Sequence, residues 1–504
     1  MGRICPIGHF FASTALLVIT AHADWRADAG FTQLQAELGE AIPTGAGIPV
    51  MMSEASQSGN FYAQGTAGTS AYAGTGILAG KTIIPYSGAS GTSGHAATVA
   101  SNFCGNTSSI SPGVTELHAW LANDFAVNLY NTNPLPSYAG SVQNHSWVAS
   151  FGSDSIDGTF LRRLDALIHR DGVIVSTPMN NGAAMSKLLA NAYHGISAGL
   201  RSGNHPKTHS SVDVLGRMKP DLVVNEGFTS FAGPAVASVA TLLLDAIRPG
   251  FPDADDPRVV KAIMLSAASK QNLLGWKRTS TNRPYDEVFG AGELHVLNAY
   301  HILAAGRQTA SNSLSCPLQG WDKGSSSTVV PNRYFFTLPD ARWGATISAT
   351  ITWHRTIANN YASSSLANLD LRLVNATGFT TSSTVTESIS SVDNVEHLFL
   401  RNLPPGDYAL EVSAGTANVT YGIAWEVQLG TGPQLTLTRS GAQNMLALSQ
   451  LDPLKSYSIE GSADLIHWQS AATIRTADTT PATSATWQES NSSGAKFYRL
   501  NWTP

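Results

Sequence analysis

Residues 216–245 constrain the fold more than any other stretch of the chain: Gly-Arg-Met-Lys-Pro-Asp-Leu-Val-Val-Asn-Glu-Gly-Phe-Thr-Ser-Phe-Ala-Gly-Pro-Ala-Val-Ala-Ser-Val-Ala-Thr-Leu-Leu-Leu-Asp. From Phe231 to Asp245 there is almost no charge, and a helix that is apolar all round belongs in a core. Pro234 is expected in its first turn, where a missing N–H costs nothing. Ser230 then stands at the helix N-terminus, facing free N–H groups and the positive end of the helix dipole, which favour the anionic character an attacking oxygen acquires. Serine is also a preferred cap on structural grounds alone, so a chemical role requires partners elsewhere in the chain.

Two candidates lie upstream. Residues 48–52 read as a short apolar strand followed by an acid, Glu54. An acid at a strand's carboxyl end suits an open parallel α/β sheet, whose ligands bind beyond the strand ends; a solvated loop glutamate is the plainer alternative. His95, in Gly94-His95-Ala96-Ala97-Thr98-Val99-Ala100, precedes an apolar helix. A near-neutral pKa lets an imidazole accept a serine proton and return it to a leaving group. A lone histidine there is ordinarily a partly exposed cap, but the order acid, His, Ser is one in which catalytic triads occur.

These stretches together resemble the subtilisin-like serine protease family. Lys219-Pro220-Asp221-Leu222-Val223 and Thr229-Ser230-Phe231-Ala232-Gly233-Pro234-Ala235-Val236-Ala237 are similar to its nucleophile motif, with Phe228 in place of a glycine and Ala235 in place of a histidine. Residues 41–56 resemble its first conserved strand, with Glu54 where the family has aspartate, and residues 94–103 resemble its His-Gly-Thr-His-Val-Ala-Gly, with Thr98 for the second histidine. Gly140-Ser141-Val142-Gln143-Asn144-His145-Ser146-Trp147-Val148 resembles the strand that pairs with substrate, and residues 171–182 resemble the segment that places Asn180 at the oxyanion position. Residues 256–300 look like the closing helices, so the resemblance covers roughly 41–305.

The resemblance implies a mostly parallel α/β sheet flanked by helices and a triad of Glu54, His95 and Ser230. It further implies Asn180 as oxyanion donor and Ser146, Trp147, Val148 and Met179 as substrate contacts. Pro178, Met179 and Val148 stand where the family has Ala, Gly and Gly, which implies a pocket suited to small or medium apolar side chains before the scissile bond. Glutamate is one methylene longer than aspartate, so it must be set back or fold its rotamer to hold the imidazole. An Asn-Asn-Gly sequence also simply makes a turn, and the two roles are compatible.

At 504 residues the chain has room for two or three full cores. Residues 1–23 have the pattern of a secretory signal, with Arg3, an apolar run from Phe10 to Thr20 and Ala21-His22-Ala23 before Asp24. That run is too short to span a bilayer, and no later stretch is expected to do so; the protein is therefore expected to be exported or surface-associated. Residues 24–40 form a short N-terminal segment, too few for a folded pro-segment, since independent domains rarely fall below ~40 residues. The α/β domain is expected over 41–308. Alternating strands over 345–353, 369–373, 396–400 and 408–412 predict a β-sandwich or jelly-roll over 309–430, and a second alternating block predicts a small β-sandwich module over 431–504.

A charged fraction of 13% and a net charge of −5 give no basis for a nucleic-acid partner; a polypeptide substrate and a monomer are expected. Cys104 and Cys316 remain after signal removal, and either one disulfide or two free thiols is open. No Cys-x-x-Cys or His-Glu-x-x-His occurs, so neither cofactor nor metal is expected. Asp370, Asp393 and Asp407 are too scattered to define a calcium site, although structural calcium stays possible. Two rival readings remain: a catalytically silent peptide-binding or adhesive protein that keeps the fold but not the chemistry, and a structural or surface protein in which the β modules matter most.

Overall fold

The computed structural model describes residues 24–504 apart from 66–67, 69, 249, 274, 340–343, 431–433, 441–442, 450, 452–455, 476–483, 491–496 and 503–504. The expected signal segment 1–23 lies outside the described residues.

A mixed sheet carries the first part of the chain. Its strands are β1 (Val50–Glu54), β2 (Tyr72–Ala73), β3 (Thr82–Pro85), β4 (Glu116–Leu121), β5 (Val142–His145), β6 (Ile174–Pro178), β7 (Ile196–Leu200) and, beyond the short hairpin of β8 (Thr208–His209) and β9 (Met218–Lys219), β10 (Leu222–Val224). The order is β10-β7-β6-β5-β1-β4-β3-β2, parallel throughout except for β2 at one edge. Pro49 has no N–H for a ladder, so β1 starts at Val50, not Ile48, and Glu54 is its last residue. Strand β1 lies between β4 and β5, the point where strand order reverses and where open α/β sheets bind ligands beyond their carboxyl ends.

Helices cover both faces. On one pack α3 (Gly94–Cys104), α6 (Thr229–Ile247), α7 (Pro257–Ala267) and α8 (Val296–Ala304), together with the N-terminal α1 (Trp25–Asp28) and α2 (Phe31–Leu38); on the other lie α4 (Ala122–Asn131) and α5 (Asp154–Asp171). The strand period of two divides the cores: Val50 and Met52 enter the first, Met51 the second. The apolar stripe Leu161, Leu164, Leu167 and Ile168 is buried, as its helical spacing predicts. Gly140, at φ +105°, lets the chain enter β5 where a Cβ would lie 2.8 Å from that of Met51.

One expectation needs correction: Pro234 is not in the first turn of α6 but inside the helix. Among the described residues α6 is long and apolar enough to cross a membrane, but 83% of its apolar window is buried inside the protein. The thiols of Cys104 and Cys316 are both free, and burial pushes each up to about 12.

Antiparallel sheets form the rest. Two four-stranded sheets between Gln319 and Leu429 face each other over a core that includes Phe336, Ile347, Trp353, Leu371 and Trp425. The four strand segments read from alternation fall in Ala345–Trp353, Leu369–Thr377, Val395–Leu403 and Gly406–Ala414. Two three-stranded sheets follow within 434–502. The first β unit is tied directly to α7: Ser266 Oγ donates to Ala424 O at 2.7 Å, Ser348 Oγ donates to Ser266 O at 2.6 Å, and Gly422 approaches so closely that a Cβ would lie 2.5 Å from the Arg258 carbonyl.

Candidate active site

Glu54 ends the central strand β1 beneath the carboxyl edge of the sheet and is 1% exposed. Its Oε2 lies 2.7 Å from His95 Nδ1. His95 is the second residue of α3, whose N-cap Ser93 accepts from the Ala96 N–H. Gln57 Oε1 accepts from both Ser93 Oγ (3.0 Å) and the His95 N–H (3.4 Å), fixing the start of that helix. The extra methylene of glutamate is thus accommodated, and the carboxylate reaches the imidazole directly. Burial pulls the His95 pKa down, but the charge and hydrogen bond of Glu54 more than offset this and hold it above the ordinary value. Burial also raises the Glu54 pKa, only partly opposed by His95.

Ser230 is the second residue of α6. The N-cap, Phe228, has no side chain able to cap, and Asn181 supplies the cap from another loop: its Oδ1 accepts from the Thr229 N–H (3.0 Å) and Thr229 Oγ1 (3.1 Å). Pro234 removes the N–H that would otherwise bond the Ser230 carbonyl. Ser146 fills the gap, donating its Oγ–H to Ser230 O at 2.8 Å while accepting from Asn144 Nδ2 at 2.8 Å. Gly233 permits this approach, since a Cβ there would lie 3.0 Å from Asn144 Oδ1.

One cavity of about 490 Å³ is lined by His95, Ser230, Asn180, Ser146, Trp147, Val148 and Met179, so of the expected triad, oxyanion and substrate-contact residues all border it except Glu54, which lies under His95. Among the described residues neither Ser230 Oγ nor His95 Nε2 is hydrogen-bonded. Asn180 is held at both ends by Ser186, donating from Nδ2 to Oγ (2.9 Å) and accepting the Ser186 N–H at Oδ1 (2.9 Å), which leaves one Nδ2 proton uncommitted. Pro178 does not border the cavity; Ala184, Met185 and Lys187 do. The Trp147 indole N–H donates to Ser53 Oγ on β1 at 3.1 Å.

The sequence reading missed Gln57 and Asn181 in these roles. Each acts on residues far off in the chain and through a backbone group, and neither leaves a spacing signal. Among the described residues no group of three or more His, Cys, Asp or Glu side chains is arranged to hold a metal. Asp370 is paired with Arg372, and Asp393 accepts from the Met218 N–H and Ser390 Oγ.

No family model matches the chain, and no curated protein matches it. Solved structures similar to it include tripeptidyl peptidase 2, at 11% identity over 82% of this chain and 52% of that one with a TM-score of 0.29. A lanthipeptide protease is similar at 14% identity over 55% of this chain and 94% of that one, with a TM-score of 0.36. A β-glucuronidase from an uncultured Clostridium sp. is similar at 8% identity over 39% and 36%, with a TM-score of 0.12. The chain spans about half the length of the tripeptidyl peptidase it matches.

Proposed function

We propose that the protein is a serine endopeptidase of the subtilisin-like type, exported on the strength of residues 1–23. The observation that carries this reading is the contact between buried Glu54 and His95 at 2.7 Å, on the wall of a cavity that Ser230 also lines. Ser230 Oγ attacks the peptide carbonyl as His95 Nε2 takes its proton, and Glu54 holds the imidazole in the tautomer that leaves Nε2 free and stabilises the imidazolium formed. The tetrahedral oxyanion receives the uncommitted Asn180 N–H and the Ser230 backbone N–H, which lies in a first turn without an intrahelical partner. His95 then gives its proton to the leaving amine, and water, activated by the same imidazole, hydrolyses the acyl-enzyme. The open Ser230–His95 pair fits an unliganded site, where catalytic hydrogen bonds are often long and tighten on substrate binding.

The test is labelling with a fluorophosphonate probe. An adduct on Ser230 that is lost in Ser230→Ala and in His95→Ala supports the enzyme. Absence of the adduct on folded protein refutes it and leaves the silent peptide-binding reading.

A further inference from the structure

Asn102 lies seven residues after His95 on α3 and so shares its face of the helix. Its Nδ2 donates to Glu226 Oε1 at 2.9 Å and to the carbonyl of Phe231, the residue after Ser230, at 3.4 Å. Glu226 sits four residues before Ser230, on the loop between β10 and α6. One amide on the histidine helix therefore grips the serine's chain on both sides of the serine. The other Glu226 oxygen accepts from the Gly227 N–H at 3.4 Å, and among the described residues Glu226 has no cationic partner.

We propose that Asn102 and Glu226 form a latch that holds the nucleophile loop in register with the histidine helix, making both positioning residues for the hydrolysis proposed above, on which this inference rests.

The loop needs such a hold. Its helix begins at a phenylalanine that cannot cap, and Gly227 within it is exposed. Asn181 grips the loop from the cavity side through Thr229, and Asp28 of α1 grips it from the N-terminal side by accepting Asn225 Nδ2 at 2.5 Å. Among the described residues the Asn102 bonds to Glu226 and to the Phe231 carbonyl tie it to the element that carries the base, beside the packing of the His95 ring on Phe231. Serine reactivity depends on that relative placement, because a misplacement of about 1 Å can cost roughly 10²-fold in rate.

The latch is also sensitive to protonation. A carboxylate accepts hydrogen bonds more strongly than a carboxylic acid, and burial, with a smaller push from Asp24, lifts Glu226 to about 7 against the pull of the Gly227 and Asn102 bonds. Asp24 is itself paired with Arg26 at 2.8 Å, and the remaining charge on this side, Asp28, is engaged with Asn225 and Arg201. The wild-type kcat therefore falls with acidification through two ionisations, those of His95 and Glu226.

The experiment uses the full chain and three readouts: the rate of fluorophosphonate labelling at Ser230, the pH profile of kcat, and amide exchange over 225–231. Asn102→Ala is expected to slow labelling and lower kcat about 10–100-fold with little change in KM, and to speed exchange in the loop. Glu226→Gln keeps the size of the side chain and is expected to leave one ionisation where the wild type shows two. Folded variants with wild-type labelling rates, an unchanged two-proton pH profile and unchanged exchange would overturn the latch. Failure of the wild type to label at all refutes the hydrolase reading instead, and exchange still reports whether the loop is held.

Discussion

Glu54 Oε2 and His95 Nδ1 stand 2.7 Å apart, with the carboxylate side chain 1% and the imidazole 24% exposed. A buried acid beneath a half-exposed imidazole raises its proton affinity, and in the proposed mechanism the imidazole acts as base only when that proton is absent. Activity should therefore rise with pH through an apparent pKa above the ordinary imidazole value of about 6.5. In Glu54→Gln only the burial effect on His95 remains, so the limb assigned to His95 should move below the ordinary value. The maximal rate should fall by roughly 10⁴-fold, as expected when the imidazole loses its orienting acid. Profiles of kcat/KM against pH for both proteins check the direction of the shift.

The bond from Ser146 to the Ser230 carbonyl exists because Pro234 supplies no N–H to that carbonyl. Ser146→Ala leaves a half-buried carbonyl and the Asn144 amide without partners, and should cost about 1–3 kcal/mol. In a Pro234→Ala background the helix supplies its own donor, so the same Ser146 change should cost measurably less. Denaturant melts of the four proteins form the cycle; equal costs in both backgrounds would show that the two groups do not share this carbonyl.

That pair also marks where the sequence stops being legible. The all-apolar run after Ser230 announces a core helix, and the alternation over 345–353 announces a strand, because both are periodic properties of neighbouring residues. The position of Pro234 was misjudged because proline's effect depends on what takes the freed carbonyl, and Ser146 does so from 84 residues away. The same limit shows in α6: it is as apolar as a membrane span, and only the surrounding sheet and helices show where that surface goes. Glu54, His95, Asn180 and Ser230 are singled out by motif resemblance; Asn102 and Glu226, 124 residues apart, are not, because a hydrogen bond between distant residues carries no pattern.

Asn180 and Asn181 are adjacent but do different work. Asn180 keeps one N–H for the cavity, so Asn180→Ala should lower kcat about 10²–10³-fold with a small effect on KM. Asn181 caps Thr229 through its Oδ1, so Asn181→Ala should cost about 1 kcal/mol in stability and reduce kcat less. Kinetics and thermal melts on both variants check the division; a larger kcat loss for Asn181→Ala would move the oxyanion role to that residue.

Val148 and Met179 line the cavity as the bulk that replaces two expected glycines. Cleavage of a peptide library by the wild type should favour small or medium apolar residues before the scissile bond. Met179→Gly with Val148→Gly should shift preference toward Phe and Tyr. A wild-type preference for large aromatic residues or arginine would refute this assignment of the pocket.

Arg355 lies in the first β unit, yet its guanidinium reaches across to the α/β body: its Nε donates to Asp165 Oδ2 at 2.9 Å, and its Nη1 donates to Asp213. All three side chains are at most 3% exposed. Removing one member of such a buried network leaves charges without a partner, a loss of about 3–5 kcal/mol, so Arg355→Ala should sharply lower the melting temperature. Asp165 also accepts the N–H groups of Tyr193 and His194, which lead into β7. The consequence therefore reaches the eight-stranded sheet that carries Glu54, and a chain ended at residue 308 should expose this network together with the face of α7 that carries Ser266. Such a truncation is expected to be insoluble or unable to label at Ser230, whereas removal of 431–504 alone should leave labelling intact. A soluble, fully reactive 24–308 fragment would show that the first β unit is an independent appendage and not part of the α/β core.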